Sequence, residues 1–231
     1  CIRPAMFGFH KAVVCGILAV GVPASVQNIL NVTGMTVLNN FTSSYGADAI
    51  AAMGIAQKIN MVPLYIAMGL GQGIMPLISY NYASGNISRM KKVLTFSLRT
   101  AVFFMAAVSV CYYFGAGALT TAFMKNPMIV LYGTRFLRGL CLGIPFLCMD
   151  FLAVGVFQAC GLGKNAFIFA VLRKIILEIP ALYILNMIFP LYGLAYAQLT
   201  AELILSIAAG IVLIRLFKKL ESKNHAIAPK E

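Results

Sequence analysis

The sequence predicts an all-α integral membrane protein, a bundle of six transmembrane helices. Three observations carry that prediction. The 231 residues are 61% apolar and 10% charged, with mean hydropathy +0.90, whereas a soluble domain is roughly 25% charged. The length accommodates about six spans of about 20 to 30 residues joined by short connections. The lysines and arginines behind the +12 net charge gather at alternate connections: Arg3 and Lys11; Arg89, Lys91, Lys92 and Arg99; Lys164, Arg173 and Lys174; Arg215, Lys218, Lys219, Lys223 and Lys230. The intervening connections hold only Lys125 and, at a helix entrance, Arg135 and Arg138. This is the positive-inside pattern, which puts both termini in the cytoplasm and assigns the positive charge to topology, not to nucleic acid.

The first span, about residues 10–40, contains Gly21 and Pro23, which predict a bend. Beyond them Asn28, Asn31, Met35 and Asn39 fall on one helical face. Such a stripe serves either as the wall of a hydrated, adaptable cavity or as interhelical hydrogen-bond glue. The second span, about 48–82, starts with Asp48 placed to favour a helix N-terminus. Lys58, next to Gln57, lies too deep for easy snorkelling and shares a stripe with Tyr65 and Gln72. Met61, Met68 and Met75 recur beside it. Packing is one reading of these residues and a substrate-facing surface the other, with Lys58 a candidate partner for an acid. The run from Gly69 to Pro76 permits close backbone approach, but its glycine spacing matches no phosphate-binding loop.

The third span, about 93–114, has Arg99 as its one charge. Asn126 and Pro127 mark a turn within an outer segment. The fourth span, about 133–161, places a carboxylate, Asp150, near its middle, where an unpaired charge costs at least ~2.5–3.5 kcal/mol. Gly139, Gly143, Phe146, Asp150, Ala153, Phe157 and Gly161 lie on one stripe, a face suited to a neighbouring helix or a wet cavity. Pro145 frees the carbonyl of Cys141 and predicts a kink. The fifth span, about 166–187, has Lys174 and Glu178 four residues apart, the spacing of an ion pair, followed by Pro180. The sixth, about 191–217, carries Gln198 and Glu202 on one face, and the tail from 218 to 231 is expected to be a charged, solvated cytoplasmic segment. Asp150, Glu178 and Glu202 each remain open to a structural or a functional role.

The six cysteines mostly lie in apolar runs without metal-ligand spacing and read as small buried hydrophobes. Trp is absent, leaving tyrosines as interfacial anchors. Cys1 stands where an intact reading frame would show Met, and a truncated chain is the expectation. The Gly-x-Pro runs at 21–23 and 143–145 are compatible with a three-plus-three internal repeat.

Taken in order, GVP at 21–23, NN…YG at 39–46, AIAAMGIAQKI at 49–59, the GLGQG…YNYASGN…R…K stretch at 69–91 and QACGLGKN at 158–165 resemble the multidrug and toxic compound extrusion (MATE) family. The similarity is greatest to its MepA-type bacterial branch, specifically the C-terminal six-helix lobe. The resemblance implies one half of a twelve-helix transporter of the bacterial plasma membrane. Such transporters alternate access to export cationic or amphipathic drugs in exchange for Na⁺ or H⁺, without a cofactor. It places Asp150 where NorM-like members carry a coupling acid, and so a Na⁺ site at Asp150. Val32, beside Asn31, occupies the place of the family's partner acid, which shifts cation coordination toward acids of the other lobe.

The leading functional reading is therefore half of a cation-coupled multidrug antiporter. Its candidate substrate or cation residues are Asp150, Glu202, Glu178, Lys58, Asn28, Asn31, Gln57, Tyr65 and Gln72. The expected partners are membrane lipids, small cationic or amphipathic drugs, and a second lobe or a second copy of the chain, with no nucleic acid. A flippase for a lipid-linked or polysaccharide cargo and an inactive half-transporter or scaffold are the alternatives. An intramembrane enzyme fits poorly, because His10 and His225 lie near the ends and Asp48 sits at a loop.

Overall fold

A computed structural model describes residues 11–227. Helices account for nearly all of them: α1 (Lys11–Ser43), α2 (Ala47–Ala83), α3 (Ile87–Phe123), α4 (Pro127–Cys141), α5 (Ile144–Ala159), α6 (Gly163–Val171), a π-helical segment (Leu172–Glu178), α7 (Ile179–Ile188) and α8 (Gly193–Ile227). Among the described residues there is no strand. Four helices, α1, α2, α3 and α8, are each long and apolar enough to cross a membrane, and α4 with α5 makes a fifth span bent by 45°. The sixth rod is the unbroken helical run from α6 through the π-helical segment into α7, which carries Lys164, Arg173, Lys174 and Glu178.

The connections follow from local chemistry. The Asn86 side chain accepts from the Arg89 N–H at 3.1 Å to cap α3, and Asn126 accepts from the Met128 N–H at 3.0 Å to cap α4, with Pro127 in the first turn. Gly161, with φ 72°, ends α5 in the left-handed conformation that a side chain disfavours. The kink expected at Pro145 is present as a break at Leu142 and Gly143, and the Cys141 carbonyl accepts from Ser109 Oγ of α3 at 2.6 Å. A freed carbonyl in lipid needs such a donor.

Several boundaries differ from those read in the sequence. The backbone of α1 stays helical through Gly21 and Pro23. The third span extends from Ile87 to Phe123, so most of the expected outer segment is helix, and only three residues separate it from α4. The expected tail is helical to Ile227, because Phe217 and Leu220 pack against Ile87 and Met90 of α3 and Glu221 pairs with Lys91. Residues 1–10 and 228–231 lie outside the described residues.

Small residues set the tightest packing. A Cβ on Gly155 of α5 would lie 2.8 Å from the Gly71 carbonyl oxygen of α2, and one on Gly71 would lie 2.8 Å from the Phe151 carbonyl oxygen. The Gly69–Pro76 run thus brings two backbones together, as membrane helices do where dispersion contacts must replace the hydrophobic effect. The glycine stripe leading to Asp150 meets α8: a Cβ on Gly139 would lie 2.7 Å from Ala195 Cβ, and one on Gly143 would lie 3.5 Å from Leu199 Cα. Cys141, Cys148 and Cys160 are buried as expected, whereas Cys15 and Cys111 are exposed on faces that a membrane protein turns toward lipid. Cys1 falls outside the described residues.

Candidate functional site: a buried charge network

The π-helical segment positions the centre of the site. Its wider winding, with i→i+5 hydrogen bonds, is frequent at functional sites, and here it spans Arg173, Lys174 and Glu178. Arg173 is 1% exposed. Its Nη1 donates to Asp150 Oδ2 of α5 at 3.1 Å and lies 3.9 Å from Glu202 Oε1 of α8. Its Nη2 donates to Asn31 Oδ1 of α1 at 2.6 Å, and the guanidinium stacks 5.0 Å from the Phe151 ring centroid. One planar fork therefore ties together three helices and its own rod, a geometry that a lysine ammonium could not reproduce.

Beside it, Lys174 Nζ donates to both carboxylate oxygens of Glu178, at 2.7 and 2.6 Å. This is the i, i+4 pair that the sequence spacing implied. Gly34 of α1 makes room for it: a Cβ there would stand 3.1 Å from Lys174 Cδ and 3.3 Å from Glu178 Oε1. The two pairs are within electrostatic reach of each other. Asp150, Glu178 and Glu202 contribute three negative charges when ionised, and Arg173 and Lys174 two positive ones, so this buried cluster sums to −1. Asp150 Oδ1 and Glu202 Oε2 are buried without a hydrogen-bond partner. Orphaned carboxylate oxygens in a low-dielectric interior are costly and call for an explanation.

Two small cavities flank Asn31. The first, about 80 Å³, is lined by Asn31, Met35, Gln57, Asn60, Lys174 and Glu178, among others. The second, about 70 Å³, is lined by Asn28, Asn31, Gln72, Met75 and Phe151, among others. Each has room for a few waters and neither for a drug-sized molecule.

The structure thus gathers Asp150, Glu202, Glu178 and Asn31 into one network and sets Gln57, Asn28 and Gln72 on its adjoining cavities. Two candidates stand apart. Lys58 is exposed on α2, and the ionic partner of Asp150 is Arg173, so the expected Lys58–acid pairing is corrected. Tyr65 is 62% exposed and lines neither cavity. The central residue, Arg173, is one that the charge pattern of the sequence groups with the cytoplasmic cations Lys164 and Lys174. Asp150 neutralises it, so it has no need to reach water. Its signal was its neighbour: Lys174 at the i, i+4 spacing satisfies Glu178, which leaves the adjacent cation, about 100° around the helix, to find another acid.

The fold matches solved structures of MATE transporters. An outward-facing multidrug resistance MATE family transporter of the MOP superfamily aligns with a TM-score of 0.88 at 18% identity, over 96% of this chain and 50% of that one. The Vibrio cholerae MATE transporter VcmN in its bent form aligns with a TM-score of 0.84 at 16% identity, over 94% and 49%. Two curated relatives are closer in sequence. The multidrug export protein MepA of Staphylococcus saprophyticus is 35% identical over 211 residues, and that of Staphylococcus aureus 34% over 213, in each case 91% of this chain and 46% of the relative. The chain spans about half the length of the curated relatives it matches. The MatE family model matches residues 23–184; the chain is a multi-pass membrane protein and belongs to the MatE family.

Proposed function

We propose that this chain forms one six-helix lobe of a multidrug efflux transporter in a bacterial cell membrane, with both termini cytoplasmic, that exchanges Na⁺ or H⁺ for cationic or amphipathic compounds. The observation that carries the proposal is the buried network around Arg173, three acids against two cations, with two unpartnered carboxylate oxygens, Asp150 Oδ1 and Glu202 Oε2. With its three acids ionised the cluster is one charge short of neutrality, and in a medium that disfavours charge it can take up a single proton or monovalent cation. The cation arrives as cargo. Arg173 already serves as the permanent counter-charge to Asp150, so uptake at Asp150 Oδ1 or Glu202 Oε2 loosens the guanidinium's hold on one acid. Asn31 and Phe151 belong to α1 and α5, so that loosening reaches the packing of both helices.

Neither cavity beside the network has room for the drug itself. Its site is the face that this lobe shares with a second lobe, bordered by the amide and methionine side chains of α1 and α2. The relatives named multidrug export protein support this substrate class.

The test uses inside-out vesicles from an efflux-deficient bacterium expressing the transporter that contains this chain. Uptake of a fluorescent lipophilic cation is followed under an imposed Na⁺ gradient and, separately, an imposed proton gradient. Uptake driven by one of them supports the proposal and names the ion. Uptake indifferent to both gradients overturns it.

A further inference from the structure

Away from the charge network, a groove of about 350 Å³ lies between α3 and α8. Its walls are apolar, formed by Leu94 and Leu98 of α3 and Leu213, Ile214 and Phe217 of α8. Gly210 lines the groove at the end away from the lysines, with open space where a Cβ would stand. Its mouth is charged: Lys91 and Lys218 are both exposed there, with Glu221 3.0 Å from Lys91. Arg89, Lys92, Arg215 and Lys219 are exposed on the same ends of the two helices. From Lys91 to Leu98, and from Lys218 to Gly210, the groove runs about 10–12 Å at 1.5 Å per residue.

We infer that this groove is a binding site for an anionic phospholipid, its headgroup phosphate between Lys91 and Lys218 and one acyl chain lying along Leu94, Leu213 and Phe217. Apolar walls alone would accept the chain of any lipid. The two lysines at the rim, backed by four further cations and one acid, make the site selective for negative headgroups, as basic pockets between membrane helices are. Glu221 holds Lys91 over the mouth, and the phosphate takes the ammonium hydrogens that Glu221 leaves free.

The chain has no Trp, so in the transporter that contains it, with any Trp of the second lobe replaced by Phe, Thr95→Trp puts a single fluorophore on the groove wall. The protein is reconstituted in phosphatidylcholine vesicles doped with either chain-brominated phosphatidylglycerol or chain-brominated phosphatidylcholine, and bromine quenching reads occupancy. Quenching by the glycerol lipid at lower mole fraction supports the site, with the preference falling about fivefold for each of Lys91→Gln and Lys218→Gln. Gly210→Phe, whose Cβ meets no atom within 4 Å, places a ring in the groove and should remove the preference while circular dichroism shows the helix content unchanged. Equal quenching by the two lipids would overturn the inference, as would a preference that survives the double lysine variant.

Discussion

Two ion pairs of nearly equal length show what surroundings do to the same contact. Lys91 and Glu221 meet at 3.0 Å where α3 begins and α8 ends, with side chains 55% and 41% exposed. Arg173 and Asp150 meet at 3.1 Å with both side chains 2% exposed. The first pair is screened by water and gains about 0–1 kcal/mol. The second has given up hydration on both sides and is held in place by Glu202, Asn31 and Phe151. Hydrophobic residues of the same volume would stabilise the bundle at least as well. A contact that stability does not require, built with two unpartnered carboxylate oxygens, points to use rather than support.

The largest stability effect should come from removing the cation that both acids share. Arg173→Met leaves Asp150 and Glu202 buried together without the cation they share, and thermal or denaturant unfolding in detergent should report a loss of about 3–5 kcal/mol. Adding Asp150→Asn and Glu202→Gln to that variant should recover most of it. Failure to recover would mean that Arg173 acts through packing, and the contrast between the two pairs would weaken.

A smaller effect is expected at the α2–α5 contact, which involves no charge. Gly155→Ala places a Cβ 2.8 Å from the Gly71 carbonyl oxygen, and backbone cannot yield as a flexible side chain does. The same unfolding assay should show a loss of about 1–3 kcal/mol, with any ion dependence of transport intact. The smallest effect belongs to the exposed pair. Glu221→Gln should change stability by less than about 1 kcal/mol, and the change should shrink further as salt is raised.

The long apolar helices were readable because lipid enforces length and composition together. The Cys141 carbonyl was likewise legible as a free acceptor, since proline chemistry alone removes its donor. Its actual donor, Ser109, lies 32 residues away and belongs to packing. The same limit explains Arg173. Its position in the chain suits a cytoplasmic anchor as well as a buried fork, and only the approach of α5, α8 and α1 decides between them. Lys58 failed in the opposite direction, because depth along α2 was legible while the direction of its side chain was not. The length of α8 is hidden in the sequence because the charged tail conceals Leu220, which packs on α3.

The buried pair as a working part, and the exposed pair as a bystander, can be separated in one measurement. In the transporter containing this chain, initial rates of efflux of a lipophilic cation are compared for Asp150→Asn and Glu221→Gln at matched membrane abundance. Asp150→Asn should lower the rate by at least about tenfold, the equivalent of a 1.4 kcal/mol change, while Glu221→Gln leaves it unaltered. Full export by Asp150→Asn at equal abundance would contradict the assignment of the Arg173 network to transport.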